Sequence, residues 1–196
     1  MTKIGVLALQ GAVSEHIDSI RRAGGEGVPV KRPEQLDEVD GLIIPGGEST
    51  TIGKLMRKYG FIDAIRAFAA AGKPIFGTCA GMIVLAKRLE GGEEPHLGLM
   101  DITVARNAFG RQRESFETDL DVKGFDSPIR AVFIRAPLVR EVGDGVEVLA
   151  TFRGNIVLVR QGQLLASSFH PELTDDCRLH GLLLEMARKA AERTAV

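Results

Sequence analysis

Short apolar runs closed by glycine or proline, each followed by a stretch of helical periodicity, constrain this chain more than any other feature. Lys3 to Leu9, Gly41 to Ile44 and Pro74 to Gly77 are rich in Val, Ile and Leu and too short for core helices, so they read as strands buried on both faces. Between them, Glu15 to Ala23 carries Ile17 and Ile20 among charges, and Phe61 to Ala70 repeats Phe61, Ile65, Phe68 and Ala69 at helical spacing. Strands alternating with helices imply right-handed βαβ units on a mostly parallel sheet. After about Leu99 the pattern changes. β-Branched stretches follow one another at Asp101 to Ala105, Ile129 to Ile134, Val146 to Phe152, Asn155 to Arg160 and Gln163 to Phe169, with turn chemistry at Gly154-Asn155 and Gln161-Gly162. These predict an antiparallel extension in the C-terminal half, closed by an amphipathic helix from about Arg178 to Glu192. With 196 residues, below the roughly 250 at which chains split, and with no linker or repeat, one domain over 1–196 is expected.

Charge and cysteine content narrow the function. A formal net charge of −1 argues against nucleic acid or an anionic membrane as the main partner. No apolar run approaches the ~18 residues of a membrane span, and the N-terminal apolar run is too short for a secretory leader, so a cytoplasmic protein is expected. Cys79 and Cys177 have neither C-x-x-C nor ligand spacing, which predicts no disulfide framework and no metal site.

Gly77-Thr78-Cys79-Ala80-Gly81 follows the strand that ends at Phe76 and precedes an apolar segment, Met82 to Leu89, read as a helix. This is the pattern of a nucleophile elbow with cysteine in the serine position: the turn is sharp and crowded, hence a glycine on either side. A helix N-terminus beside the sulfur favours the thiolate. The plainer alternative is a buried core cysteine at a glycine-rich turn. Phe169-His170-Pro171-Glu172 ends the strand-like run from Gln163. In an extended segment His170 and Glu172 share a side, and Pro171 keeps them aligned. Glu172 would then set the imidazole tautomer while the other ring nitrogen shuttles the thiol proton. Alone, these residues would be a solvated strand end. Together with the cysteine elbow they suggest a triad.

Ile43-Ile44-Pro45-Gly46-Gly47-Glu48-Ser49 runs from a strand into a Gly-Gly turn and a helix starting near Ser49 or Thr50. Such backbone suits an oxyanion hole, with Gly47 N–H and Ala80 N–H as the donors; a plain turn capped by Ser49 is the alternative. Gly53-Lys54 gives it a superficial likeness to a phosphate loop, but glycine is missing at 48 and Leu55 stands where Ser or Thr would bind magnesium. No nucleotide and no cofactor is expected.

Leu7-Ala8-Leu9-Gln10-Gly11 with Glu15-His16, Pro45 to Thr51, Gly77 to Gly81, Ala105-Arg106-Asn107-Ala108-Phe109-Gly110-Arg111-Gln112, Phe133-Ile134-Arg135-Ala136-Pro137 and Phe169 to Leu173 together resemble the class I glutamine amidotransferases. Within them, the chain is similar to the glutaminase subunits of two-protein pyridoxal 5'-phosphate synthases. The likeness covers nearly the whole length, and the 105–112 and 133–137 segments are its most specific parts. It implies a flavodoxin-like, mostly parallel sheet flanked by helices, with the antiparallel extension already read. It also implies Cys79 as nucleophile with His170 and Glu172, and glutamine held by Gly47, Glu48, Ser49, Arg106, Ile134 and Arg135. Either arginine could take the substrate carboxylate and Glu48 its ammonium. The implied reaction is hydrolysis of L-glutamine to glutamate and ammonia, delivered to a separate synthase subunit as partner, with Gln10, Glu15 and His16 facing that subunit. His96 and His180 are read as surface or partner-facing, and Cys177 as non-catalytic. Rival readings are the glutaminase of another amidotransferase, a cysteine peptidase-like hydrolase on the same fold, and a non-catalytic glutamine sensor.

Overall fold

The computed structural model describes residues 1–109 and 115–195. In chain order the N-terminal half holds β1 (Lys3–Leu7), α1 (Val13–Arg22), β2 (Glu26–Val30), β3 (Gly41–Ile44), α2 (Ser49–Lys58), α3 (Phe61–Ala70), β4 (Ile75–Thr78), α4 (Ala80–Leu85) and β5 (Ala86–Leu89). There follow β6 (Met100–Ala105), β7 (Ser115–Leu120), β8 (Ile129–Ile134), β9 (Leu138–Val142), β10 (Glu147–Phe152), β11 (Asn155–Gln161), β12 (Leu164–Ser167) and α5 (Arg178–Thr194). Among the described residues no helix is long and apolar enough to cross a membrane.

The main sheet runs β2-β1-β3-β4-β12-β11-β9-β6-β5, with β10 paired to β11. Its first five strands are all parallel, in an order that follows the flavodoxin-like scheme. From β11 onward antiparallel pairing takes over, as expected for the C-terminal half, apart from a parallel β5–β6 pair. Period-two alternation splits the central strands between two cores. Leu42, Ile44 and Ile75 face Ile52, Met56, Phe61 and Ile65 of α2 and α3, whereas Ile4, Val6, Ile43 and Phe76 face Ile20 of α1 and Leu179 and Leu183 of α5. Helices on both faces leave the C-terminal edge of the parallel strands as the natural place for a ligand.

Several expectations are corrected. The segment Met82 to Leu89 is not one helix: α4 stops at Leu85, and Ala86–Leu89 pairs with β6 as a strand. The hairpin turns sit one residue from where composition put them. Arg153 and Gly154, both at positive φ, form the two-residue turn, and Asn155 already pairs with Phe152; that geometry suits a right-twisted hairpin. Likewise Gly162 and Gln163 turn between Gln161 and Leu164, which are paired. Strands β2, β7 and β9 went unread.

β7 and β8 form a separate antiparallel ribbon. It is fixed by aromatic packing: Phe116 stacks on Phe133 with centroids 4.7 Å apart, and Phe133 meets Phe152 and Phe169 at 5.7 and 5.5 Å. His170 N–H donates to Val132 O at 2.8 Å. The ribbon thereby carries Ile134 and Arg135 to the C-terminal edge of the sheet.

Candidate active site

The elbow takes its shape from close backbone approach. Cys79 sits at φ 53°, ψ −107° between β4 and α4, a left-handed conformation that costs a non-glycine residue on the order of 1–3 kcal/mol and is tolerated where the surroundings enforce it. They do so here: Cys79 N–H donates to Ser167 O at 2.8 Å, and Met82 N–H to Cys79 O at 3.0 Å. A Cβ on Gly77 would lie 2.5 Å from Gly81 O, and one on Gly81 would run into the carbonyl oxygen of Ile44. The flanking glycines are therefore steric requirements of the turn.

Parallel pairing brings His170 to the thiol. Thr78 of β4 is in register with Ser167 of β12, so residues 79 and 170, one and three positions past that pair, emerge at the same edge. A methyl carbon placed on Gly46 would be 2.6 Å from His170 Cε1 and 3.4 Å from Cys79 Cβ; ring and thiol close on one point beside the Gly46-Gly47 turn. His170 Nδ1 is 2.9 Å from Glu172 Oε2, with the Glu172 side chain fully buried. The alignment does not come from an extended segment, as the sequence suggested. Pro171–Leu173 forms a single 3₁₀ turn, in which the fixed proline φ folds Glu172 back beneath the ring. Burial works against the imidazolium, but hydrogen bonds to Cys79 and Glu172 and their negative charge outweigh it, and the His170 pKa is raised from 6.5 to about 10.

A cleft of about 450 Å³ opens over these groups, lined by Gly47, Glu48, Ser49, Cys79, Ala80, Arg106, Ile134, Arg135 and His170, and by Ile83, Asn107 and Pro137. All the residues expected to hold substrate thus line the same cleft as the thiol and imidazole. The last three were not singled out by sequence, although Asn107 and Pro137 lie within the most specific segments. Asn107 and Arg135 both adopt positive φ, 46° and 45°, which aims the two loops at the cleft. The thiol of Cys79 is 3.8 Å from Ile134 O.

The Glu48 carboxylate, expected to meet an ammonium, caps α2. It accepts from Thr50 N–H at 2.9 Å, Thr51 N–H at 2.8 Å and the Thr51 hydroxyl at 2.6 Å. The hydrogen bond from the Thr51 side chain, followed by that from the Thr50 backbone, holds its pKa down at about 2. Arg106 pairs with Glu93 at 2.8 Å and donates to Thr50 Oγ1 at 3.3 Å. Its buried Nε has no partner among the described residues. Positions Gly110, Arg111 and Gln112 of the specific segment lie outside the described residues.

The residues expected to face a partner divide. Gln10 Oε1 accepts from Glu48 N–H at 2.7 Å, and Gly11 abuts the Gly46 carbonyl, so closely that a Cβ there would overlap its oxygen. Gln10 and Gly11 therefore back the Gly46-Gly47 turn. Glu15 is half-buried on α1. His16 is fully buried, as is His180, and His96 is 8% exposed; the surface reading of all three is corrected. His16 shares its helix face with Ser19 and Ile20 at i+3 and i+4, both buried, a spacing that points it at the core. Cys177 sits at the N-cap position of α5, half-buried.

A cysteine at a strand–helix elbow, an imidazole hydrogen-bonded to a buried carboxylate, and a cleft over them at the sheet edge are the parts of an α/β enzyme that carries out acyl transfer through a thiol. By sequence the chain belongs to the SNO glutamine amidotransferase family, whose profile matches residues 6–189. It is 70% identical over 188 residues to a "Pyridoxal 5'-phosphate synthase subunit PdxT" of Niallia circulans, covering 96% of this chain and 99% of that one. It is 63% identical over 190 residues to the protein of the same name from a Geobacillus species, strain WCH70, covering 97% and 99%. A crystal structure of a glutamine amidotransferase superposes with a TM-score of 0.90 at 55% identity, over 94% of this chain and 98% of the other. The structure of PurLQS from Thermotoga maritima shares the fold, at TM-score 0.69 and 18% identity, covering 100% and 99%.

Proposed function

We propose that this chain is the glutaminase subunit of a pyridoxal 5'-phosphate synthase, one domain that hydrolyses L-glutamine through a thioester on Cys79 and passes the ammonia to a separate synthase subunit. The observation that carries the site assignment is His170, whose Nδ1 lies 2.9 Å from the buried Glu172 and whose ring closes with Cys79 on one point beside Gly46; family membership and the shared length with the pyridoxal 5'-phosphate synthase subunits support the rest.

In this reading the Cys79 sulfur attacks the carboxamide carbon, and the carbonyl π pair moves to oxygen. Gly47 N–H and Ala80 N–H face that oxyanion. Ala80, first residue of α4, has no intrahelical acceptor for its N–H. On collapse the C–N bond breaks, and His170 gives its proton to the leaving nitrogen, which departs as ammonia. Water then adds to the thioester, His170 takes its proton, and the C–S bond breaks to release glutamate and regenerate the thiolate. Glu172 holds Nδ1–H throughout and keeps the other ring nitrogen toward the sulfur. The depressed Glu48 carboxylate stays ionised as a partner for the substrate ammonium, while Arg106 and Arg135 present guanidinium groups to its carboxylate, so free glutamine is preferred over peptide-bound glutamine. Free thiols at Cys79 and Cys177 fit a reducing, cytoplasmic setting.

The test is ammonia release from free glutamine by wild type and Cys79→Ala, each with and without the synthase subunit, beside a glutaminyl peptide. Turnover of free glutamine by wild type alone, stimulated by the synthase, is expected. Ammonia from Cys79→Ala at the wild-type rate, or preference for the peptide, would overturn the assignment.

A further inference from the structure

Behind the triad lies a buried polar cluster for which the reaction as written has no use. His16 Nδ1 is 2.9 Å from His180 Nε2, and His16 Nε2 is 3.1 Å from Thr78 Oγ1. The same Nε2 lies 3.7 Å from Glu172 Oε1, with both side chains at 0% exposure. That oxygen is the one His170 leaves unused, and it has no hydrogen-bond partner within the ordinary limit among the described residues. Two histidines buried between α1, α5 and the sheet are costly where apolar side chains would fill the space more cheaply.

Proton positions follow from the distances. Burial first, then the neighbouring histidines for His16 and Arg22 for His180, hold both rings below the usual histidine range, so both are neutral. One proton lies between His16 Nδ1 and His180 Nε2. Were it on His16, the bare His16 Nε2 would face a carboxylate oxygen, and His180 Nδ1–H would be a buried donor with no acceptor. With the proton on His180 Nε2, His16 carries its hydrogen on Nε2, donated to Thr78 and facing Glu172, and only acceptors, His180 Nδ1 and Glu172 Oε1, go unmet. Orphaned buried donors are the rarer defect, so the second arrangement holds.

We infer that His16, oriented by His180, is a positioning residue for Glu172: its Nε2–H, bonded to Thr78 Oγ1 at 3.1 Å and 3.7 Å from Glu172 Oε1, holds by charge–dipole attraction the carboxylate oxygen that His170 leaves unused. This rests on the triad assignment above. The line Cys79–His170–Glu172 thus continues to His16 and His180, and one stretch of chain reaches both the oxyanion turn, through Gln10 and Gly11 just before α1, and the triad carboxylate, through His16 on α1.

The test is steady-state ammonia release by the complete complex with His16→Leu, which removes both ring contacts, His16→Asn, which keeps a polar atom only on the His180 side, and His16→Gln, whose amide N–H reaches the Nε2 position. Losing a partner that orients a reactive group costs roughly 10–100-fold, so Leu and Asn should lower kcat by about that factor with KM for glutamine nearly unchanged. Gln should recover most of the loss. Should His16→Leu fail to fold, the comparison of Asn with Gln decides. Asn equal to Gln, all variants matching wild type, or a loss confined to KM overturns the inference. If wild type itself releases no ammonia, the glutaminase reading falls first and takes this one with it.

Discussion

Gly46→Ala tests the geometry on which the chemistry depends. The added methyl carbon would stand 2.6 Å from His170 Cε1, 3.3 Å from Nδ1 and 3.4 Å from Cys79 Cβ. Carbon–carbon contacts relax only at about 3.5–4.0 Å, so the ring must retreat by about 1 Å. It cannot do so freely, because Nδ1 is tied to a fully buried carboxylate at 2.9 Å. A displacement of ~1 Å between reacting groups costs about 10²-fold, equivalent to roughly 2.7 kcal/mol of barrier. Gly46 lies outside the left-handed region, so alanine fits the backbone and the fold should survive. The assay is kcat for ammonia release in complex with the synthase, with thermal unfolding measured alongside. A folded Gly46→Ala protein whose kcat stays within about threefold of wild type, under 1 kcal/mol, would refute the placement of His170 against Cys79.

Glu172→Gln should keep the shape but mis-set the His170 tautomer, lowering kcat by about 10⁴-fold, as loss of an orienting carboxylate does in a hydrolytic triad; near-normal turnover would remove Glu172 from the mechanism. Gly81→Ala drives a methyl into the Ile44 carbonyl of a central strand, so unfolding should come earlier by about 1–3 kcal/mol; an unchanged denaturant midpoint contradicts that contact. His170 has a folded pKa near 10 against an unfolded value of 6.5, and stability linked to its charge is full below pH 6.5 and lost as pH rises toward 10. The stability of wild type over His170→Asn should therefore shrink across that window, and a difference that grows with alkalinity would reverse the sign of the argument.

What could be read without coordinates follows from how strongly local pattern reports burial. β3 and α3 emerge with their boundaries, because a strand buried on both faces and an amphipathic helix leave clear periodicities. β2 was hidden by Pro29, which is acceptable only because the strand lies at the sheet edge. β5 was absorbed into a helix because Ala86-Lys87-Arg88-Leu89, buried only at its ends, continues an apolar helical run. β7 turns only Phe116, Thr118 and Leu120 inward, of which Leu120 alone is fully buried, and the phenylalanines that pack on Phe116 come from elsewhere in the chain. At the site, the elbow, the His-Pro-Glu segment and the Gly-Gly turn were legible because each carries its chemistry in a few adjacent residues. The burial of His16 and His180 was not, although helical spacing contained it: His180 falls in step with Leu183 and Ala187, both buried. Treating a histidine as polar concealed its place on an apolar face. The role of Glu48 as a helix cap was likewise masked by its expected role toward substrate.

The pairing of Thr78 with Ser167 also dictates when the enzyme comes alive. The strand that leads to the imidazole is made about ninety residues after the one it slots in beside, so on the proposed triad a growing chain on the ribosome carries the sulfur long before it has any base to serve it. On the proposed triad, fragments ending before β12 should be inert toward glutamine however well their first four strands assemble.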